Sequence, residues 1–243
     1  MGRRWESLIE RVFEAPSPTR HDVLTMQPHH KKYPRTPHLP WSPGATSDDA
    51  WSAGFDALER GLIVVTEKMD GENTTMYRDH IHARSLDSKH HPSRSWVKGL
   101  HQRIAHMLPE GWRICGENLY ARHSIAYDEL TSYFVMFSIW DDKNNCLSWD
   151  DTLEWAALLE LEAPPVLYYG PWDEQMLRAI TLDERRQEGY VVRTTRAFPY
   201  HEFAAHVAKW VRPNHVQTDE HWMHAQLVPN KLAAAVEDHE EQG

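Results

Sequence analysis

The spacing of apolar and polar positions switches repeatedly between a period of two and a period near 3.6, and each switch marks an element. Leu62-Ile63-Val64-Val65 is a run of four β-formers, too short for a helix, feeding Lys68-Met69-Asp70-Gly71; it reads as a buried strand running into a turn. Asn73–Tyr77 and Ile81–Arg84 predict a hairpin turning at Arg78-Asp79-His80. Trp96, Leu100, Ile104, Met107 and Leu108 share one helical face, which predicts a helix over Ser95–Leu108 stopped by Pro109-Glu110-Gly111. Strands follow at Trp112–Leu119 and Tyr133–Trp140, then a polar turn at Asp141–Asn145. Asp150–Leu161 reads as a helix with acid at its start, and Val166–Tyr169 as a strand. Pro171–Ile180 reads as a helix with proline in its first turn, followed by strands at Gly189–Thr194 and His206–Val211.

The two ends are less regular. Trp5, Leu8, Ile9 and Val12 fit a short helix over Trp5–Phe13. Pro28–Gly44 is rich in proline and histidine, which forbids a helix or a central strand and favours extended backbone. It also carries Tyr33, Leu39 and Trp41, so it is expected to pack on the domain and line one wall of a cleft. Asp48 or Asp49 would cap a helix reaching Arg60, with Gly61 ending it. Beyond Val228 the chain reads as a weak helix fading into a disordered acidic tail. The expectation is α+β: one core over residues 61–228 with residues 1–60 packed on it, mostly antiparallel strands, helices outside, and residues 229–243 as the tail.

With 243 residues and 41% hydrophobic content, the chain can bury a full core, and no apolar run approaches the ~18 residues that span a bilayer. Met1-Gly2-Arg3-Arg4-Trp5-Glu6 lacks the apolar stretch of a signal peptide, and Cys115 and Cys146 are isolated; both point to a reduced, cytoplasmic protein without a structural zinc site. A net charge of −10 argues against indiscriminate nucleic-acid binding. Between Arg84 and Arg103, however, five Lys/Arg and three histidines face a single acid, Asp87, a local stripe suited to a phosphate-bearing ligand. The paired histidines His80/His82, His90/His91 and His221/His224 lack a third ligand at metal spacing and read as packed or surface residues.

Lys68, at the end of a buried strand, is the candidate nucleophile. Burial and neighbouring cations would lower its pKa from about 10.4 toward neutrality and free the amine. Lys68-x-Asp70-Gly71-x-Asn73, with Glu67 before the lysine, resembles motif I of the covalent nucleotidyltransferases, and most of all the ATP-dependent RNA ligases of the phage nick-sealing and trypanosome-editing type. Further motifs follow in the family's order: Arg84 (motif Ia), Glu117 in Cys115-Gly116-Glu117-Asn118-Leu119 (III), Phe137 in Tyr133–Ile139 (IIIa), Glu188-Gly189-Tyr190-Val191-Val192-Arg193 (IV) and Ala208-Lys209-Trp210-Val211-Arg212 (V).

The resemblance implies a nucleotidyltransferase, ATP-grasp-like adenylation fold of two antiparallel sheets with flanking helices around a nucleotide cleft. It implies that Lys68 takes AMP from ATP, that Glu67 accepts from the adenine amino group, that Phe137 stacks on adenine, that Arg84 contacts the ribose or phosphate, and that Glu117, as a charged acceptor, takes a hydrogen bond from the ribose hydroxyl. Asn73 would meet phosphate or the RNA 3′ end, Lys209 would hold the α-phosphate and help depress the Lys68 pKa, and Asp70 with Glu188 would hold Mg²⁺ or Mn²⁺ through water. The implied substrate is RNA with 3′-OH and 5′-phosphate ends, contacted by this domain or by an RNA-end-processing partner protein, with any accessory C-terminal domain missing or reduced to a stub. Two departures stand out. Ser138 replaces the aspartate of the usual Phe-Asp-Ile, and Val211 replaces the second cation of motif V, leaving the role of Arg212 open. The rival readings are a DNA ligase or capping-type nucleotidyltransferase, and a nucleotide- or RNA-binding module without chemistry.

Overall fold

The eight strands expected from the apolar pattern are all present in the computed structural model, which describes residues 30–45, 54–88, 90–213 and 227–234. The helices expected at Trp5–Phe13 and the caps at Asp48 or Asp49 lie outside the described residues. In chain order the elements are α1 (Asp56–Glu59), β1 (Leu62–Lys68), β2 (Glu72–Tyr77), β3 (Ile81–Ala83), α2 (Ser95–Ile104), β4 (Arg113–Asn118), β5 (Phe134–Trp140), β6 (Asn145–Cys146) and α3 (Trp149–Leu158). Then come β7 (Val166–Pro171), α4 (Glu174–Ala179), β8 (Gly189–Thr194), β9 (Phe198–Pro199), α5 (Phe203–His206) and β10 (Val207–Val211).

The strands form two antiparallel sheets, one ordered β10-β8-β1-β7 and one ordered β3-β2-β4-β5-β6-β9. Period-two alternation gives each sheet an apolar outer face. On the larger sheet Met76, Ile114, Phe134, Met136 and Ile139 pack under Val97, Leu100 and Ile104 of α2 and Trp155 of α3. On the smaller sheet Ile63, Val65, Tyr190, Val192 and Ala208 pack with Leu39, Leu58 and Leu177. A third cluster, Cys115, Trp140, Cys146, Phe198, Phe203 and Val207, joins the inner faces of the two sheets at one end. Both cysteines are buried free thiols, as their isolation in the sequence predicts.

Helix ends follow local chemistry. Ser148 caps α3 by accepting from the Asp151 amide at 3.1 Å. The helix expected to begin at Pro171 begins instead after Asp173, whose carboxylate accepts from the Met176 amide at 3.0 Å. Pro171 is the last residue of β7, opposite Leu62. A side-chain cap at Asp173 satisfies an orphan helix donor, which a first-turn proline cannot do.

Two segments outside the regular elements are fastened to them. The proline-rich stretch runs beside the outer edge of β10: the Lys209 amide donates to the Pro37 carbonyl at 2.9 Å and the Leu39 amide to the Lys209 carbonyl at 2.8 Å. The single parallel bridge His38↔Lys209 covers an edge that would otherwise expose unpaired backbone. Residues 227–234 are extended, not the helix-to-coil tail expected there. Asn230, Lys231 and Ala233 donate from their amides to the carbonyls of Tyr120, Tyr127 and Leu130, and the Asn230 side chain bonds the Leu119 carbonyl (2.8 Å) and the Tyr127 amide (3.1 Å). A composition biased to acid and alanine hid an asparagine with buried backbone partners.

Gly189 is where β8 comes closest to β10: a Cβ there would lie 2.0 Å from the Trp210 carbonyl oxygen. Gly189→Ala must therefore push the strands apart. It is expected to cost about 1–3 kcal/mol, as overpacking does, read as a lowered midpoint in thermal or urea denaturation.

Candidate active site

The inner faces of the sheets diverge around a cleft of about 760 Å³. The register across the smaller sheet sets one wall. Lys68 on β1 lies opposite Gly189 on β8, and Gly189 opposite Val211 on β10; one row further, Thr66, Val191 and Lys209 are aligned. Lys68, Thr66, Val191, Lys209 and Val211 all line the cleft. The larger sheet supplies the other wall, where Asn73 on β2 pairs directly with Glu117 on β4.

On β5 the pairing with β4 passes from Cys115↔Ser138 to Gly116↔Met136, so Phe137 is the extra residue of a β-bulge. Before the bulge the even-numbered Phe134 and Met136 face the outer core, and after it the odd-numbered Ile139 does. The shift of phase leaves Phe137 and Ser138 both on the cleft side, which simple alternation would forbid. Ser138, at the position of the missing carboxylate, accepts from the Trp140 indole at 3.1 Å.

Electrostatics centre on Lys68. Its side chain is 24% exposed, its ammonium donates to Glu188 Oε2 at 2.5 Å, and the Glu188 side chain is 1% exposed. Burial pushes the lysine pKa down, but the carboxylates of Glu188, Glu117 and Asp70 outweigh it and hold the pKa above the ordinary value. The lowered pKa expected from the sequence is therefore corrected: the nearest charges are anions. Glu117 differs as well. Burial, reinforced by Glu188 and Asp70 against the opposing pull of Lys68, raises its pKa to about 8, so it is a protonated carboxyl at neutral pH and not the charged acceptor expected there. The Gly71 amide donates to its Oε1 at 3.2 Å.

Asp70 is buried, and its Oδ2 accepts from the Ser124 amide (2.8 Å), the Ser124 hydroxyl (2.7 Å) and the Ile125 amide (2.6 Å). One carboxylate oxygen thus anchors residues 124–125 to the turn after β1. The Asp70 amide donates to the Tyr127 hydroxyl at 2.9 Å, and Arg212 reaches the Ser124 hydroxyl at 3.2 Å. Arg212 thus points toward this anchor, while Val211 faces the cleft. Glu67 lines the cleft and accepts from the Gln187 amide at 2.8 Å; burial raises its pKa and that hydrogen bond opposes the rise.

Of the remaining expected residues, Arg84 follows β3 and lines the cleft with its side chain exposed. Asn73 presents a buried Oδ1 with no hydrogen bond among the described residues. The basic stripe is divided. Arg94 is bound through two guanidinium nitrogens to buried Glu72, Lys98 and Arg103 lie on α2 away from the cleft, and Lys89 is outside the described residues. His80 and His82 pack with His30, the His30 and His80 rings stacked at 3.9 Å. Gln187, Tyr127 and Ser124 escaped the sequence reading, whereas Tyr33 lines the cleft as its place on the proline-rich stretch predicts. Only Gln187 carried a signal, its place beside Glu188.

The Glu117 shift carries a sign. Its carboxyl releases its proton near 4.5 when unfolded and near 8 when folded. Below both values it contributes nothing to the pH dependence. Between them the unfolded chain loses its proton first, so rising pH costs stability. Glu117→Gln, which cannot ionise, is expected to gain stability relative to the unsubstituted protein as pH goes from 5 to 8, checked by thermal denaturation at both values.

Comparison with known proteins places this geometry. An archaeal ATP-dependent RNA ligase superposes with a TM-score of 0.53 at 16% identity, covering 75% of this chain and 48% of its own. A Naegleria gruberi RNA ligase with PPi gives a TM-score of 0.49 at 20% identity, covering 65% and 52%. A putative ATP-dependent DNA ligase from Aquifex aeolicus gives 0.49 at 20%, covering 74% and 50%. The chain spans about half the length of these structures, and the archaeal match shows a shared fold. No curated protein matches it. The RNA ligase family model matches residues 61–211, from the glycine before β1 to the end of β10, a stretch that contains the motifs named above except Arg212, the last residue of the fifth. The chain is a member of the RNA ligase family.

Proposed function

We propose that the protein is an ATP-dependent RNA ligase that works through a covalent lysyl-AMP intermediate and seals 3′-OH to 5′-phosphate RNA ends, as in RNA repair. The observation that carries this reading is the Lys68 amine on the cleft wall, 2.5 Å from a buried carboxylate that can take its proton. In the first step the Lys68 ammonium gives one proton to Glu188, its free Nζ bonds to the α-phosphorus of ATP as the bond to the pyrophosphate oxygen breaks, and the second proton shed by the nitrogen leaves with the pyrophosphate. The 5′-phosphate of RNA then attacks the same phosphorus and frees Lys68; the 3′-hydroxyl attacks the activated 5′-phosphate and AMP leaves.

Around that amine each wall has a task. Phe137, delivered by its bulge, offers a stacking face for adenine, and Glu67, oriented by Gln187, offers an acceptor for the adenine amino group. Glu117 and Arg84 contact the ribose or phosphate, Asn73 meets phosphate or the RNA 3′ end with its open Oδ1, and Lys209 offsets charge on the α-phosphate. Among the described residues no three His, Cys, Asp or Glu side chains converge on one point. Asp70 and Glu188, two buried carboxylates that line the cleft, would hold a hydrated Mg²⁺ or Mn²⁺ through water. A divalent cation there would neutralise the carboxylates that keep Lys68 protonated.

Intact-mass spectrometry of protein incubated with ATP and Mg²⁺ is expected to show one added AMP, absent in Lys68→Ala. That adduct should pass to 5′-phosphorylated RNA and yield sealed product on nicked or single-stranded ends bearing 3′-OH. An absent adduct would refute the mechanism, and sealing of DNA nicks alone would make it a DNA ligase. Phe137→Ala is expected to weaken ATP binding by about 1–3 kcal/mol, the usual worth of one base–aromatic stack, measured by titration calorimetry.

A further inference from the structure

Three cations of the cleft are held by the protein itself. Lys68 is paired with Glu188, Arg94 with Glu72, and Arg193 donates to the carbonyls of Phe137 and Leu147 at 3.3 and 2.9 Å. Arg35 also lines the cleft. It is exposed and makes no hydrogen bond or ion pair with another described residue. It lies outside the stretch matched by the family model, on the proline-rich strap that precedes it.

The backbone on both sides of Arg35 is fixed. On one side the Tyr33 ring packs against Phe137 and Phe203 at 5.1 and 5.2 Å, and the Lys32 carbonyl accepts from the Tyr200 hydroxyl at 2.8 Å. On the other, Pro37 and Leu39 are hydrogen-bonded to Lys209. Pro34 and Pro37 stiffen the stretch between. A guanidinium on so short and doubly anchored a strap is presented to the cleft, not merely tethered near it.

Position selects the ligand. Crossing the smaller sheet from Lys68, the order is β1, β8, β10 and then the strap. With strands about 4.8 Å apart, His38 of the strap lies roughly 14 Å beyond Thr66 of β1. Arg35, three residues earlier on a strap that runs parallel to β10, is set back from the Lys68 row, so it stands diagonally across the sheet from Lys68. Displacement at the α-phosphorus is in line, so the departing pyrophosphate points away from the attacking amine. A cation that holds that group must stand on the far side of the phosphorus from Lys68. Val211, the cleft-facing residue of β10 in the Lys68 row, is apolar and buried and cannot do so.

We propose that Arg35 is a nucleotide-binding residue that holds the β- and γ-phosphates of ATP, the pair that leaves as pyrophosphate. This rests on the nucleotide cleft inferred above, but its test does not depend on the adduct. Calorimetric titrations in the Lys68→Ala background, where no adduct can form, compare ATP, pyrophosphate and AMP with and without Arg35→Ala. ATP and pyrophosphate are expected to bind about tenfold more weakly, the loss of one charge-assisted contact, with AMP unchanged and Arg35→Lys in between. Unchanged ATP affinity, equal weakening of ATP and AMP, or no ATP binding at all would overturn the proposal. So would a loss confined to a 5′-phosphorylated RNA oligonucleotide, which would make Arg35 an RNA contact. If ATP and AMP separate as expected but the unsubstituted protein never carries AMP, this inference stands and the covalent mechanism falls.

Discussion

The contact between Lys68 and Glu188 is the constraint around which the rest of the site is arranged. A buried carboxylate and a largely buried ammonium are each costly to desolvate alone, and together they are tolerable only at close range. That range comes from strand register: Lys68 faces Gly189, so the residue before Gly189 falls beside the amine. The glycine is required because β10 passes too close for any side chain. A β1–β8 slip of one residue would turn Lys68 toward the outer core and leave Glu188 buried and unpaired, so the hydrophobic pattern of β1 and the chemistry of the site enforce one another.

The same pair shows why this lysine is not a free amine at rest. Three carboxyl groups surround it electrostatically, Glu188 foremost, and burial, the strongest single influence, does not overcome them. Glu117 bears the complementary distortion: one buried carboxyl of the group keeps its proton because its neighbours do not. The surroundings of Lys68 are thus charged to attract cations and cationic groups. A polyphosphate of the kind proposed as substrate would need cations presented locally, and β10, the residue after β3 and the strap carry them. A net charge of −10 is compatible with such a substrate, since the total says little about a field set by a few residues.

Legibility in the sequence followed physical range. The strands were readable because alternation and β-propensity act over a few neighbours. The places of Lys68, Asp70, Glu117 and Glu188 were readable because they stand at or next to strand ends, while Lys209, in the middle of β10, was legible only through its motif. The Lys68 pKa was misjudged because its sign depends on which charges arrive from strands 49 and 120 residues away, Glu117 and Glu188. Phe137 was placed on the cleft by the family resemblance, but Ser138 joins it there through a bulge that no local pattern announces. The packing of the proline-rich strap was expected from its aromatic residues; its hydrogen bonds to β10 were not, because one edge strand looks like another before it is paired.

The turn after β1 shows how far the site's support extends. Asp70 is fixed by the 124–125 backbone and by Tyr127, and Tyr127 in turn gives its amide to Asn230. Asn230 is 4% exposed and binds Leu119, Tyr120, Tyr127 and Tyr133 at once. Removing its side chain would strand two buried backbone groups, the Leu119 carbonyl and the Tyr127 amide, and such groups must find partners or shift. The segment that would shift is the one holding the carboxylate two residues from Lys68. Residues 227–234 lie beyond the part of the chain shared with the family model, yet they bear on the position of Asp70 through a continuous chain of hydrogen bonds. The strap does the same from the other end, through Tyr33 on Phe137 and Pro37 on Lys209. The cleft is therefore a product of the two sheets together with flanking segments on both sides of the family core.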